Sequence, residues 1–367
     1  RLSKSSITKF EIDSVKKVLK NQFLGMGPEV KKFEDLLKKF FNRDVCCFNS
    51  GTAALQIALQ TCDIGKGDEV LVPCITYVAT YQAISATGAK PISCEVYADT
   101  LTLDITDAEK KINKKTKAII LVHFAGGVGN LNYYYKFAKK NKLILVEDAA
   151  HAFGTTYNKK LIGSFNSTVT FSFDGIKNIT AGEGGCIMSS NQSIIKKVKN
   201  LRQLGIENLK IRKKNILIKK FNVTDQGWRY HMSDIMAAIG YNQYTRFRKI
   251  KYRRRQIAKF YYENLKKFEN VKQLPNNYNE VVPFCYPVIF KTNKLRNLVA
   301  ESLSEASIEV GFLYYPNHFL DKYKSNIKLR LTEKIYNNSI LLPLHMSLKE
   351  KDLKKVIKII IKVLKNG

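Results

Sequence analysis

Short β-type runs alternate with helix-length amphipathic segments from about residue 45 to residue 190, and this alternation strongly constrains the fold. The seven predicted strands are residues 45–48, 69–73, 91–95, 118–123, 143–147, 169–173 and 186–189. Between them, residues 52–60, 77–87 and 131–141 repeat apolar side chains at intervals of three and four. The pattern predicts an α/β fold, with a mostly parallel seven-stranded sheet flanked by helices.

The remainder of the chain predicts a second, smaller domain. A basic helical stretch at residues 234–265 leads away from the first domain, and we expect the boundary near residue 250. The elements predicted beyond it are strands at residues 281–290 and 307–315 and helices at residues 294–304 and 349–364. We therefore expect a large cofactor-binding domain at residues 1–250 and a small α+β domain at residues 251–367.

The charge of the chain is unusual, because 62 Lys and Arg face 31 Asp and Glu and give a formal net charge of +31. The lysines are spread along predicted helices, as in residues 15–20 and 136–142, so we expect no dedicated nucleic-acid function. Lysines at helical spacing also interrupt the apolar residues 353–364, so we expect no membrane span. The positive potential would still attract a substrate that carries a diphosphate.

The cysteines indicate a reducing compartment. They number seven, with no CxxC pair, and Cys46, Cys47 and Cys186 lie in apolar predicted strands. This usage favours reduced, buried thiols and a cytoplasmic protein. His123, His318 and His345 are isolated from one another and from any cysteine pair, so no metal site is predicted.

One lysine differs from the others by its position. Lys177 follows a predicted strand, within residues 171–180, and precedes the glycine-rich turn at residues 182–185. A lysine amine condenses with the aldehyde of pyridoxal 5′-phosphate (PLP), and the same amine, once displaced by a substrate, can move a proton. An ordinary surface lysine is the alternative that the residue type leaves open.

Two further runs carry residue types that suit a phosphorylated pyridine. Asp148 ends an apolar strand, where a carboxylate can keep a pyridine nitrogen protonated; a magnesium ligand or a helix cap would also fit. Residues 49–55 predict a strand that passes through small residues into a helix, whose free N–H groups and the Thr52 hydroxyl suit a phosphate. Ser172 would add a donor, although a simple capped helix is the alternative.

Taken in this order, the three elements resemble the DegT/DnrJ/EryC1/StrS family of sugar aminotransferases, which are fold-type I PLP-dependent enzymes. The other similar runs are residues 67–70, 76–80, 88–91, 116–119, 122–123, 227–233, 237–240, 315–318 and 342–345. The resemblance is dense over residues 20–250 and looser beyond them. It implies PLP as the cofactor, with pyridoxamine 5′-phosphate in the half-reaction.

The resemblance also implies residue roles. Lys177 would hold the cofactor covalently, and Asp148 would contact the pyridine nitrogen. The other implied cofactor contacts are Gly51, Thr52, Ala53 and Ser172 at the phosphate, Tyr77 on the ring and His151 at the phenolic oxygen. Arg229 or His231 would reach the cofactor phosphate of a neighbouring subunit, which implies a homodimer with shared active sites. A surface salt bridge for Arg229 and a core position for Tyr77 are the alternatives.

Two positions bear on the subgroup. His151 stands where the family commonly has Gln, three residues after the aspartate. A related class carries His in place of the cofactor-binding lysine and performs dehydration, and Lys177 argues against that class.

The implied reaction transfers an amino group from L-glutamate, which leaves as 2-oxoglutarate, to a nucleotide-linked keto sugar. The glycine-rich turn at residues 182–185, with Glu183, resembles the corresponding turn of family members that aminate C4. Residues 171–180 and 227–231 resemble the same segments of viosamine-type enzymes. We therefore predict dTDP- or UDP-4-keto-6-deoxyglucose as the substrate, with Glu183 and His318 near it. A 3-keto sugar aminotransferase and a non-catalytic regulator that binds PLP or a sugar nucleotide are the alternatives.

Overall fold

The computed structural model describes residues 1–207, 212–213, 216–217 and 221–366. The described α-helices are α1 (Lys9–Lys20), α2 (Pro28–Phe41), α3 (Gly51–Thr61), α4 (Val78–Ala86), α5 (Ile105–Glu109), α6 (Leu131–Lys140), α7 (Gln192–Leu201), α8 (Asp234–Thr245), α9 (Phe247–Leu265), α10 (Asn293–Glu305), α11 (Arg330–Asn338) and α12 (Glu350–Asn366). The described strands are β1 (Asp44–Phe48), β2 (Glu69–Pro73), β3 (Lys90–Cys94), β4 (Thr116–Val122), β5 (Ile144–Asp148), β6 (Thr156–Tyr157), β7 (Lys160–Leu161), β8 (Thr168–Ser172), β9 (Gly185–Ser189), β10 (Ile206–Glu207), β11 (Arg212–Lys213), β12 (Ile216–Leu217), β13 (Asn222–Val223), β14 (Val271–Gln273), β15 (Tyr286–Phe290) and β16 (Ser339–Leu342).

A seven-stranded sheet forms the centre, in the order β1-β9-β8-β5-β4-β2-β3. The five strands from β8 to β3 are parallel, whereas β9 runs antiparallel to both β8 and β1. All seven strands predicted from the sequence are present, with ends shifted by at most two residues. The predicted mostly parallel sheet is therefore confirmed.

Both faces of this sheet are covered, which explains why its strands are continuously apolar. Leu71 and Ile119 pack on one face with helices α2 and α6. Their neighbours Val70 and Ile120 point to the other face and pack with helices α3 and α4. Successive side chains of a strand alternate between faces, so each strand contributes to two separate apolar clusters.

The C-terminal part contains a smaller antiparallel sheet, in the order β14-β15-β16. Apolar residues of α9, α10 and α12 form one buried cluster with it. Helix α12 is amphipathic, and its buried residues are Leu353, Val356, Ile357, Ile360 and Leu364. In the part of the chain that the structure describes, no helix carries an apolar stretch sufficient to cross a membrane.

Two strand predictions in this part need correction. The strand predicted at residues 307–315 is wrong, because only Gly311 pairs with Leu341, in an isolated bridge, before the chain turns towards the central sheet. Of the strand predicted at residues 281–290, only Tyr286–Phe290 forms. The preceding carbonyls accept hydrogen bonds from arginines of α9 instead of from a neighbouring strand.

The helical stretch predicted at residues 234–265 is two helices, α8 and α9, with Arg246 between them. Helix α9 runs through residue 250. Phe247 and Ile250 pack in the core of the central sheet, whereas Ile257 and Tyr261 pack with the smaller sheet. The helix thus connects the two cores, and a division into domains at residue 250 stays a prediction.

Candidate active site

A cavity of about 390 Å³ lies at the carboxyl ends of the parallel strands, where open α/β sheets bind their ligands. The predicted site residues that line it are Gly51, Thr52, Tyr77, Asp148, His151, Ser172, Lys177 and Glu183. They come from separate segments between residues 51 and 183, which the parallel sheet brings to one edge. Four other predicted residues, Ala53, Arg229, His231 and His318, are not among those that line it.

The start of helix α3 forms one end of the cavity. Ser50 caps the helix, and its Oγ accepts a hydrogen bond from the Ala53 N–H at 3.1 Å. Within the described residues, the N–H groups of Gly51 and Thr52 donate to no acceptor. A Cβ atom on Gly51 would lie 2.8 Å from Cβ of Ser172, so only glycine permits this close approach. Free donors at a helix start favour an anion.

Asp148 is held at the cavity wall by two donors. The Thr80 hydroxyl donates to its Oδ2 at 2.9 Å, and the Ala150 N–H donates to its Oδ1 at 3.2 Å. Thr80 in turn shares a 2.9 Å hydrogen bond with the hydroxyl of Thr76. The carboxylate is therefore fixed in position before any ligand binds.

Glu147, the neighbour of Asp148, points to the opposite face of the sheet. It is fully buried, with His123 Nε2 2.7 Å from its Oε2, the Tyr135 hydroxyl 2.8 Å from its Oε1, and the Ser167 hydroxyl also donating to it. Burial alone would raise the pKa of Glu147, but these hydrogen bonds outweigh it and the pKa lies below its usual value. Of the two adjacent carboxylates, Glu147 and Asp148, only Asp148 lines the cavity.

Lys177 projects into the cavity beside an aromatic ring. Its Nζ lies 4.2 Å from the centroid of Phe284. Burial lowers the pKa of Lys177, and the charges of Asp148 and Asp174 oppose this effect without cancelling it. An amine with a lowered pKa is more readily available as a nucleophile and as a base.

His151 forms the wall next to Lys177. Its ring stacks on Phe284 with centroids 4.1 Å apart, and its Nε2 lies 3.2 Å from the Tyr314 hydroxyl. The Ala125 N–H donates to its Nδ1 at 3.4 Å. Burial, helped by the charge of Lys177, holds the pKa of His151 well below its usual value, so the ring is neutral at physiological pH.

Two cavity residues lie at its open side. Tyr77 is 57% exposed, and its ring centroid lies 5.3 Å from that of Tyr314. Glu183 lies in the glycine-rich turn, where burial and the charge of Asp174 raise its pKa. Both residues stand where a larger ligand would enter.

Thr80, Phe284 and Tyr314 also line the cavity but were not predicted from the sequence. Thr80 lies in the first turn of α4, and Thr76 precedes the helix, so their hydroxyl contact depends on the turn that leads into α4. Phe284 and Tyr314 had no local signal, because they lie more than 100 residues beyond Lys177 in the chain.

The predicted residues outside the cavity have other surroundings. Ala53 is buried in the apolar cluster beneath α3, and Arg229 is exposed. His231 pairs with Phe48 of β1 in an isolated bridge, and burial together with the charge of Arg229 lowers its pKa. Neither Arg229 nor His231 reaches the cavity of its own chain.

His318 is buried in a separate cluster. Its Nδ1 lies 2.8 Å from Sγ of Cys74, and its Nε2 lies 3.1 Å from Oε1 of Glu333. The neighbouring Asn317 side chain donates to the carbonyl groups of Cys74 and Thr76 at 3.0 and 2.8 Å. These contacts brace the loop that carries Tyr77.

The cavity residues fit PLP. The free N–H groups at the start of α3 suit its phosphate, Asp148 suits its pyridine nitrogen, and the Lys177 amine suits its aldehyde. Among the described residues, no three His, Cys, Asp or Glu side chains are arranged to hold a metal ion. Fold and cavity together define the class of fold-type I PLP-dependent enzymes.

The chain belongs to the DegT/DnrJ/EryC1/StrS aminotransferase family, whose profile matches residues 5–361. It is 30% identical to a dTDP-4-dehydro-2,3,6-trideoxy-D-glucose 4-aminotransferase of Saccharopolyspora spinosa, covering 94% of this chain and 92% of the relative. It is also 30% identical to GDP-perosamine synthase of Escherichia coli O157:H7, covering 87% and 85%.

A solved structure agrees with this assignment. The PMP form of the putative sugar aminotransferase Spr1654 from Streptococcus pneumoniae superposes with a TM-score of 0.93 and 28% identity, covering 100% of this chain and 99% of that one. The same protein is also solved in a PLP form. The comparisons confirm the predicted family, fold class, PLP cofactor and enzyme class, a sugar aminotransferase.

Proposed function

We propose that this enzyme transfers an amino group from L-glutamate to C4 of a nucleotide-linked 4-keto-6-deoxyglucose, giving the 4-amino-4,6-dideoxyglucose called viosamine. The observation that carries the proposal is that Lys177 and Asp148 share one cavity with the free start of α3. Glu183 in the turn at residues 182–185, and a relative whose name specifies a 4-aminotransferase, support the C4 position. We expect dTDP or UDP as the nucleotide.

Each cavity residue has a proposed task. When bound, PLP supplies an electron sink that stabilises negative charge on a substrate carbon. Asp148, oriented by Thr80, keeps the pyridine nitrogen protonated. Lys177 moves a proton between the substrate carbon and C4′ of the cofactor, first as a base and then as an acid. The same residues act in reverse order on the second substrate, so ping-pong kinetics are expected.

The other predicted contacts complete the proposed site. Gly51, Thr52, Ala53 and Ser172 would bind the phosphate, and Ala53 would do so by sharing the N–H that it donates to Ser50 Oγ. Tyr77 would cover the ring, and His151 would contact the phenolic oxygen. Glu183 stands at the open side, where the sugar would enter.

We also propose a homodimer with shared active sites. Arg229 and His231 lie outside the cavity of their own chain, and an apolar surface on and after α1 is exposed. The exposed residues of this surface are Phe10, Ile12, Leu19, Phe23 and Leu24. A second copy that covers them would bury apolar area and could bring Arg229 to the open cavity. The enzyme is proposed to be cytoplasmic, which the five buried cysteines support.

Mixing two inactive variants tests the shared sites. Lys177→Ala and Arg229→Ala subunits, unfolded and refolded together, should recover about a quarter of the wild-type activity, because half of the dimers then hold one intact site of two. Light scattering should give twice the mass of one chain. Recovery no greater than that of separately refolded variants, or a monomeric mass, would contradict the proposal.

The reaction is tested by following the absorbance of bound PLP in two steps. L-Glutamate should change the spectrum, and after its removal only a nucleotide-linked 4-keto-6-deoxyglucose should restore it. Restoration by the 3-keto isomer alone would move the reaction to C3. A spectrum that glutamate leaves unchanged would favour a non-catalytic regulator.

A further inference from the structure

A buried arginine lies behind the cavity. Arg254 of helix α9 is only 4% exposed. Its guanidinium donates to the carbonyl groups of Phe284 at 3.0 Å, Pro283 at 3.3 Å and Ile176 at 3.3 Å. Among the described residues, no carboxylate forms a salt bridge with it; its hydrogen-bond partners are backbone carbonyls.

Burying a cation without a carboxylate partner costs free energy, because the charge loses its hydration. Burial lowers the pKa of Arg254 to about 10, which reflects the cost of keeping the charge away from water. An apolar side chain would pack helix α9 at lower cost. Packing alone therefore does not explain a guanidinium at this position.

The three carbonyl groups belong to the two segments that flank the Lys177 amine. Ile176 directly precedes Lys177, and the Phe284 ring lies 4.2 Å from the Lys177 Nζ. The same ring stacks on His151. Arg254 thus joins the lysine loop and the aromatic wall to one helix.

The charges around Lys177 come from several elements. Asp148 ends β5 and Asp174 lies in the lysine loop, and both carboxylates favour the protonated amine. The nearby Cys285 thiol is uncharged at physiological pH, because burial raises its pKa to about 12. Burial is the largest effect in the opposite direction, and Arg254 adds to it. His151 and Tyr314, which also face the cavity, are neutral at physiological pH. Arg254 therefore acts in the same direction as burial and against the two carboxylates.

We propose that Arg254 is a positioning residue for Lys177, which fastens the lysine loop to the Phe284 wall and places a permanent positive charge behind the amine. The inference rests on the proposed function in taking Lys177 as the amine that binds PLP and moves the proton. With this charge in place, a larger fraction of the freed amine is neutral despite the charges of Asp148 and Asp174. It is then ready to accept the substrate proton.

The test measures how readily Lys177 is acetylated as the pH changes. Full-length protein freed of PLP is treated with trace acetic anhydride between pH 6 and 11, and the Lys177 peptide is quantified by mass spectrometry. Arg254→Gln and Arg254→Met should raise the midpoint by about one pH unit, leaving about tenfold less neutral amine at pH 7. Arg254→Lys keeps the charge, so its Lys177 acetylation midpoint should stay close to that of the wild type.

Arg255→Met is the matched control. Arg255 is the next residue of α9 and donates to the carbonyl groups of Val281 and Glu280, but not to the lysine loop. The acetylation midpoint of Lys177 in Arg255→Met should equal that in the wild type. Unshifted midpoints in both Arg254→Gln and Arg254→Met, or an equal shift in Arg254→Lys, would overturn the inference. Thermal melts select the folded variants, and Arg254→Gln retains hydrogen-bonding capacity should Arg254→Met fail to fold.

The labelling result is independent of turnover. A shifted midpoint in a protein that aminates no keto sugar would leave this inference standing and remove the proposed function. Normal amino transfer with unshifted midpoints would leave the proposed function standing and remove this inference.

Discussion

The imidazole of His151 lies almost flat against the phenyl ring of Phe284, with centroids 4.1 Å apart and an angle of 19° between the planes. His151 follows a strand of the central sheet, whereas Phe284 comes from the segment that leads into the smaller sheet. The two cores of the chain therefore meet at the cavity. Residues from both determine the surroundings of Lys177.

Replacing Lys177 by Ala should abolish amino transfer, with a loss of at least about a thousandfold, because the covalent and proton-transfer steps use the same amine. Lys136→Ala, on the exposed surface of α6, is the control and should retain full activity. Initial rates with L-glutamate and a 4-keto sugar nucleotide measure the effect. A Lys177→Ala protein with substantial turnover would remove the basis of the mechanism.

Asp148→Asn should lower kcat by about a hundredfold or more, while PLP still binds. An amide of the same shape can remain near the Thr80 hydroxyl and the Ala150 N–H, but it no longer carries the charge that keeps a pyridine nitrogen protonated. Steady-state kinetics and PLP titration separate the two effects. An unchanged kcat would argue against a charge-dependent role for Asp148.

Glu147→Ala should destabilise the protein by about 3–5 kcal/mol, because it leaves the buried groups of His123, Tyr135 and Ser167 without their shared acceptor. Urea unfolding measures the loss. Activity per folded molecule should stay within about twofold of the wild type, since Glu147 faces away from the cavity. A large loss of kcat at full stability would place Glu147 in the reaction.

Gly51→Ala should weaken PLP binding by about tenfold or more. The added Cβ would lie 2.8 Å from Cβ of Ser172, at the helix start proposed to bind the phosphate. Gly25→Ala is the matched control, because its Cβ would meet no atom within 4 Å. Fluorescence titration of the PLP-free protein measures both affinities. Equal affinities would mean that the phosphate binds elsewhere.

The stability of the protein should fall as the pH drops below about 6.5, in part through His151. The folded state keeps His151 neutral because its pKa is lowered, whereas the unfolded chain binds a proton below the ordinary value. The unfolded state is then favoured by up to about 1.4 kcal/mol per pH unit. His151→Gln should reduce this slope in urea unfolding between pH 7 and pH 5. Identical slopes would show that His151 is not buried as described.

Much of the central fold could be predicted, because its signals are local. Strands buried on both faces are continuously apolar, and helices on a sheet repeat with their own period. The prediction failed at residues 307–315, where the residues are equally apolar but only Gly311 finds a partner on β16. Strand pairing depends on which edges are free, and that is a property of the assembled sheet.

The residues of the candidate site also fall into two groups, those indicated by local sequence patterns and those brought in by the assembled fold. Lys177, Asp148 and Thr52 could be predicted because each lies at or after the carboxyl end of a strand of the central sheet, and these strand ends meet at one edge. Glu147 and Asp148 are adjacent carboxylates, and the alternation of side chains along β5 sends only Asp148 to the cavity.

The sequence by itself determined the order of strands and helices along the central sheet, the family, and the cavity residues Lys177 and Asp148 that we propose meet the cofactor. The tertiary structure decided which distant groups surround them. Phe284 and Tyr314 reach the cavity, and Arg254 lies behind it, only after helix α9 and the smaller sheet dock on the central sheet. Their burial, and through it the pKa of Lys177, depends on contacts between segments far apart in the chain, which no local pattern encodes.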